Sequence, residues 1–347
     1  MSDARKYAAW LFIIPYFGVS RLDAGSMAPY QTVLSVSRQS ALVIVDMETG
    51  THTEVPVEGL GLPRGGQSIA VDADGRIYVY VDDFFQFLPD GQPFRGTYLA
   101  RLDPTTSQWM TMIIDGSITG PTDMDVKPDG NLIVAGEFDV FDIDLTAKTA
   151  RPSGVRRSGD IGEGKTIAVE IDSSGTIVTG AFSLAAGSVT TPLFRQTEDE
   201  DVAERFDTEI QLSHFVLDSD GTVIGVRSLD RNSNRTDTGT LYRLDFDTKS
   251  VEVLFESELL FGASEIELDP AGRIVSLSLS DDFEPRIVRV DLELGAAEIV
   301  ADLSGYLLAD MDLRVIPEPP GLTLLSLGSF AWLVFFGSRE RFSLRQI

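Results

Sequence analysis

Cysteine is missing altogether, so no disulfide staples the fold and stability must come from a hydrophobic core. Histidine is nearly missing as well: His52 and His214 are the only two. The chain carries no metalloprotease helix motif and no Gly-x-Ser-x-Gly elbow. Basic residues are scarce, with 28 Lys and Arg against 54 Asp and Glu and a net charge of −26. Such a surface repels phosphate backbones and anionic lipid, which sets nucleic-acid binding aside. It suits solubility, cation binding and neutral polysaccharide surroundings.

What is present in the middle of the chain is a repeat. Ser68-Ile-Ala-Val-Asp-Ala-Asp-Gly75 resembles Asp123-Met-Asp-Val-Lys-Pro-Asp-Gly130. Ala168 to Gly175, His214 to Gly221 and Glu265 to Gly272 are three further copies. Each places a short apolar strand before an Asp/Pro/Gly turn and another after it, a strong hairpin signal. A second hairpin completes most units, opened by Leu99-Ala-Arg-Leu-Asp103, Leu241-Tyr-Arg-Leu-Asp245 and Ile287-Val-Arg-Val-Asp291. Unit three departs: Pro192 to Asp207 is charged and gives no clean third strand. Four strands in a unit of roughly 48 residues predict a blade of an all-β propeller.

The ends of this region predict how the ring closes. Leu42 to Asp46 with Thr53 to Val57 is an outer hairpin that lacks a first strand. Asp310-Met-Asp-Leu-Arg314 looks like the first strand of unit two with no blade after it. Joining it to Gln31–Ser35 and the hairpin makes a composite blade and hides the sheet edges. The expectation is therefore a six-bladed β-propeller over residues 27–316, closed by strand 310–314, with seven blades as the alternative. The pattern resembles NHL- and YVTN-type propellers and the six-bladed gluconolactonase-like group.

Inner strands line a propeller's channel, so equivalent positions on them form a ring. Alignment of the copies puts Ser68, Asp123, Ala168, His214, Glu265 and Asp310 there. Asp123, His214, Glu265 and Asp310 are the candidate channel residues, able to hold Ca²⁺ or another divalent metal or to act as acid–base groups. A polar, wet channel needs no such role. The gluconolactonase-like group implies a metal held by inward residues that include an Asn, and this ring has none. Other motifs weigh less. Gly159 to Thr166 matches the phosphate-loop pattern, but a strand, not a helix, is expected after it. Asp72-Ala-Asp74-Gly75 and Asp218-Ser-Asp220-Gly221 look like the start of a calcium loop yet lack its distal ligands. Glu198-Asp-Glu-Asp201 reads as a solvated loop, and His52 as a residue of an outer hairpin.

Both ends of the chain read as address labels. Arg5 and Lys6 precede an uncharged run, Tyr7 to Val19, as in a secretory signal peptide over residues 1–26 with cleavage near Ser26. After Val315-Ile316 come Pro317, Glu318 and Pro319, then an uncharged stretch from Gly321 to Gly337 and a tail with Arg339, Arg341 and Arg345. At 1.5 Å per residue that stretch makes a helix of roughly 26 Å, the short limit for a bilayer span. The arginines act as a basic stop that stays on the cytoplasmic side. Residues 317–347 resemble the PEP-CTERM sorting signal of Gram-negative bacteria. The resemblance implies an inner-membrane exosortase as partner, an anchored precursor, and a mature product at the cell surface or outside the cell among exopolysaccharide. The combined expectation is an exported, non-catalytic binding or scaffold propeller. The alternative is a metal-dependent lactonase or hydrolase with its site at the channel mouth.

Overall fold

The computed structural model describes residues 30–315, apart from 37–40, 57–66, 88–92, 104–107, 115–117, 119, 137–138, 154, 156–165, 183–189, 198–201, 228–237 and 307. The expected signal peptide, sorting motif, membrane helix and basic tail lie outside the described residues. So do Glu198 to Asp201 and most of the phosphate-loop pattern. Among the described residues no helix is long and apolar enough to cross a membrane.

The repeats fold as the sheets of a β-propeller. The first comprises β4 (Gln67–Val71), β5 (Ile77–Phe87), β6 (Pro93–Asp103) and β7 (Gln108–Ile114). The second comprises β8 (Asp123–Val126), β9 (Leu132–Ala135), β10 (Val140–Asp144) and β11 (Thr149–Pro152). β12 (Thr166–Ile171), β13 (Ile177–Ala181), β14 (Leu193–Gln196) and β15 (Glu204–Phe206) form the third. β16 (His214–Leu217), β17 (Val223–Arg227), β18 (Gly239–Asp245) and β19 (Ser250–Ser257) follow, then β20 (Glu265–Leu268), β21 (Ile274–Leu279), β22 (Pro285–Asp291) and β23 (Ala296–Asp302). These five sheets are each continuous in sequence. One further four-stranded sheet is composite: β24 (Leu308–Val315) joins β1 (Tyr30–Val36), β2 (Ala41–Asp46) and β3 (His52–Pro56) in the order β24-β1-β2-β3.

One sequence expectation changes and another holds. Unit three does have a third and a fourth strand, because β14 pairs with β13 through Leu193, Phe194, Arg195 and Gln196. The signal was obscured because only Leu193 and Phe194 are buried there, while Arg195 faces Glu204 across the hairpin at 2.7 Å. The phosphate-loop pattern ends in Thr166, which opens strand β12 and not a helix. Among the described residues no helix follows the pattern to receive a phosphate at its N-terminus.

The turns explain the Asp and Gly of the repeat. In the first copy the Asp72 carboxylate accepts the N–H groups of Asp74 and Arg76, at 3.0 and 2.8 Å. Gly75 closes the turn onto the Asp72 carbonyl with φ of +73°, a region costly for any residue with a Cβ. Asp172 and Asp269 accept from Ser174 and Thr176, and from Ala271 and Arg273, in the same way. The resemblance of the Asp72 and Asp218 segments to calcium loops is therefore that of hairpin turns whose carboxylates are occupied by their own backbone.

Alternation along each strand then sends apolar side chains to both faces, and each gap between neighbouring sheets becomes one layer of core. On β2, Leu42 packs with Ile69, Ile77 and Val79 of the first sheet, whereas Val43 and Val45 pack with Val275, Leu277 and Ile287 of β21 and β22. Similar layers join the other neighbours: Tyr80 with Leu132 and Val134, Val169 with Ile133 and Ala135, Phe215 with Ile167 and Leu193, and Val216 with Ile266 and Ile274. The inner strands touch in a closed cycle, β24 to β4, β8, β12, β16, β20 and back to β24.

The closing contact is specific. Tyr30 pairs with Val315 and Ser35 with Asp310 in an antiparallel register. Asp310 then reaches beyond its own sheet, where its Oδ2 accepts the Ile69 N–H at 2.7 Å and its Oδ1 accepts the Met311 N–H at 2.8 Å. Asp310→Ala orphans two buried N–H groups and should cost about 2–4 kcal/mol in urea unfolding at pH 7. Asp310→Asn keeps one acceptor oxygen and should cost less than half as much. Equal losses for the two variants would show that the carboxylate is not acting as an N–H acceptor.

Candidate functional site

Each inner strand presents to the axis an edge without a ladder partner, and N–H groups along that edge need acceptors. The aligned ring residues meet this need unequally. Asp123 Oδ2 accepts the Val169 N–H of β12 at 2.7 Å, and its Oδ1 accepts the Met124 N–H at 2.8 Å. Asp310 does the same toward β4, as described above. Ala168 has no polar group to offer. Ser68 is fully buried at its place in the ring, and its Oγ has no partner.

His214 and Glu265 take a different course. His214 Nε2 lies 2.8 Å from Glu265 Oε2 and 3.5 Å from Asp123 Oδ2. The side chains are 1% exposed for His214, 11% for Glu265 and 8% for Asp123. The Ile266 N–H faces His214 Nδ1 at 3.5 Å, at the limit of a hydrogen bond. Two carboxylates beside Nε2 weigh more than that long contact. Burial alone would lower the imidazole's pKa, but the Glu265 charge and the contacts with Asp123 and Glu265 raise it well above its ordinary value. Burial raises the Glu265 carboxyl, with His214 opposing. The result is an imidazole whose protonated form is favoured, held against a carboxyl group whose neutral form is favoured by burial.

The candidate metal role of Asp123, His214, Glu265 and Asp310 finds no support in this geometry. Among the described residues no group of three or more His, Asp or Glu is arranged to hold a metal ion. Asp123 and Asp310 spend both carboxylate oxygens on backbone N–H groups. His214 Nε2 lies against Glu265 Oε2 at 2.8 Å, an ion-pair contact without the alignment of a hydrogen bond. Asp123, His214 and Glu265 do come together, while Asp310 turns toward Ile69. His52 sits on exposed β3, where its ring meets Tyr306 edge-on at 5.7 Å.

A second layer of acids escaped the sequence alignment. Two residues further along the inner strands lie Asp125, Glu170, Glu267 and Asp312. Asp125 Oδ2 accepts from Ile171 N–H at 2.9 Å, and Asp312 Oδ2 accepts from Val71 N–H at 2.5 Å. The available signal was the period of two in Asp123-Met-Asp125, Glu265-Ile-Glu267 and Asp310-Met-Asp312, which keeps both acids on one side of the strand. Burial pushes Asp125 up to about 7, against its two backbone hydrogen bonds. Burial first, then the charges of nearby acids, hold Glu170, Glu267, Asp310 and Asp312 well above the carboxylate range.

No protein-family model matches the chain, and no curated protein matches it. Solved structures do resemble its fold. A virginiamycin B lyase from Staphylococcus aureus matches with a TM-score of 0.51 at 10% identity, over 84% of this chain and 97% of that one. A protein described as a "putative 6-phosphogluconolactonase" from Bacteroides fragilis matches with a TM-score of 0.50 at 9% identity, over 82% and 98%. Hydrazine synthase of Kuenenia stuttgartiensis matches with a TM-score of 0.51 at 18% identity, over 76% and 77%. At these identities the likeness is one of fold: an all-β propeller.

The pH dependence of stability follows from the channel. Groups with raised pKa values bind more protons folded than unfolded, so their contribution declines as pH rises from the unfolded carboxylate value of about 4 through about 7 at Asp125. The His214 contribution is present below its unfolded pKa of about 6.5 and is lost as pH rises through its raised folded value. The turn acids Asp46, Asp172 and Asp302 have lowered values and lose their contribution as pH falls below about 4. Thermal melts should therefore peak at about pH 4–5 and decline toward pH 8. Asp125→Asn should flatten the decline between pH 5 and 8, and an unchanged slope in that variant would remove Asp125 as its source.

Proposed function

We propose that the channel mouth is a small-molecule site at which the protein hydrolyses a lactone or related ester, with Glu265 as the acid–base group and His214 holding its charge. The contact that carries this reading is the 2.8 Å approach of a buried imidazole to a buried carboxyl at the N-terminal ends of β16 and β20. Ring opening needs a base to take a proton from water as it attacks the carbonyl, and an acid to return a proton to the departing alkoxide. A carboxyl raised by burial can serve in both steps. Glu265 is the more exposed member of the pair and so the one that meets substrate, while His214 acts behind it as a positioning residue. The fold shared with the protein described as a "putative 6-phosphogluconolactonase" supports the reaction class.

The purified protein should open members of a panel of aldonolactones and aryl esters. Glu265→Gln should lower kcat by about 100-fold or more, since acid–base groups contribute on that scale. His214→Asn should shift the acidic limb of the pH–rate profile more than it changes KM. No turnover across the panel would overturn the reading.

A second reading is an exported, exosortase-processed surface or matrix module without catalysis, which would bind exopolysaccharide or a similar ligand. Two observations favour it: Asp123 and Asp310 are spent on holding strand edges, and β24 ends one residue before the Pro317-Glu318-Pro319 motif begins. Export from a Gram-negative cell and anchoring through residues 321–337 belong to either reading. Mass spectrometry of the mature C-terminus in the native host tests processing. The expected product ends close to Pro319, and secreted material that still carries Arg345 would refute cleavage at the motif.

A further inference from the structure

Strand direction fixes which face of the ring the two terminal segments leave from. Tyr30 and Val315 are partners in the composite sheet, so the chain enters β1 and leaves β24 at one point. Asp310 and Asp312 bond the N–H groups of Ile69 and Val71, which sets β24 and β4 side by side in the same direction. Val315 therefore lies at the end of the ring where β4 runs into its Asp72–Gly75 turn. Asp123 and Asp125 align β8 with β12 in the same sense through Val169 and Ile171. The hairpin turns after the inner strands share this face, and so do the outer turns that begin at Asp46, Asp144 and Asp245. Exposed acids crowd it, including Glu48, Asp74, Asp129, Asp144, Asp220 and Asp247. The ring of Asp123, His214 and Glu265 lies at the opposite ends of the inner strands.

We propose that the anchored precursor stands on the membrane with its acidic turn face toward the bilayer and its channel mouth facing away. This rests on the reading of residues 321–337 as a membrane span. From Val315 to Gly321 the chain reaches at most about 20 Å when fully extended, so the turn face cannot swing far from the lipid surface. A stiff Pro317-Glu318-Pro319-Pro320 tether further limits tilting. The like charge of the face and of anionic lipid opposes adsorption but is screened beyond about 8 Å at physiological salt. The ring is thus held close and upright. The sorting motif begins two residues after Val315 and so stays near that face, while the ends of β16 and β20 that carry His214 and Glu265 point away from the bilayer.

A chain without cysteine allows single thiols to test this directly. Ser219→Cys places a fluorophore in the turn after β16, and Asp282→Cys places one in the exposed loop between β21 and β22 on the other face. Each full chain is reconstituted into phosphatidylcholine vesicles that carry an energy acceptor on a lipid headgroup. Transfer from position 219 should exceed transfer from position 282 several-fold. A second pair, Ala271→Cys and Asp281→Cys, should repeat the ratio. Equal or reversed transfer from chains that float with the vesicles overturns the orientation while leaving the anchor intact. Chains that fail to float with the vesicles overturn the orientation and the anchor together.

Discussion

The bare inner edge of each sheet is the constraint around which this ring is organised. A propeller hides most strand edges inside its sheets, but among the described residues six innermost strands still turn N–H groups toward the axis, where water has little room. On β24 and β8 aspartates answer this need, each with one oxygen for its own strand and one for the next sheet. Such a bond spans 241 residues at the closure between β24 and β4, and 46 between β8 and β12. The inner strands are thus fixed in phase with one another as well as packed.

That solution has an electrostatic consequence. Carboxylates are good acceptors, yet collecting them on one axis sets like charges together where solvent cannot screen them. Burial first, and then neighbouring like charges, make Asp125, Glu170, Glu267, Asp310 and Asp312 hold protons more tightly, and His214, beside Glu265 and Asp123, is raised well above the usual imidazole range. Structure and chemistry share the same atoms here. Asp123 and Asp310 are committed to the backbone, which leaves Glu265 and His214 as the members able to act on something else. The proposed lactone chemistry and the binding-module reading differ in whether that remaining pair meets a substrate.

Much of the architecture was legible because a propeller is local in sequence. Each hairpin needs only an Asp-x-x-Gly turn and alternating apolar residues, and both can be read from a few positions at a time. The likeness of Asp310-Met-Asp-Leu-Arg314 to Asp123-Met-Asp-Val-Lys127 pointed to an inner strand without a blade of its own. Unit three was harder to read. Arg195 and Glu204 face each other across an outer hairpin, and their charges masked strands that rest on Leu193, Phe194 and Phe206. At the site, the ring positions could be aligned but their partners could not. Nothing in a sequence says that Asp310 bonds Ile69, or that His214 meets Glu265 before it could meet a metal.

The sequence by itself determined the repeat, the turn chemistry, the acidity, and the apolar and Pro-rich segments that read as export and sorting signals. These follow from residue type and short spacing, which act through local backbone preference and composition. Only the tertiary structure decided which carboxylates are spent on strand edges, which side chains meet on the axis, and at which end of the inner strands the ring of Asp123, His214 and Glu265 lies. Those outcomes depend on distances between residues far apart in the chain and on the exclusion of water, and both exist only once the ring has closed.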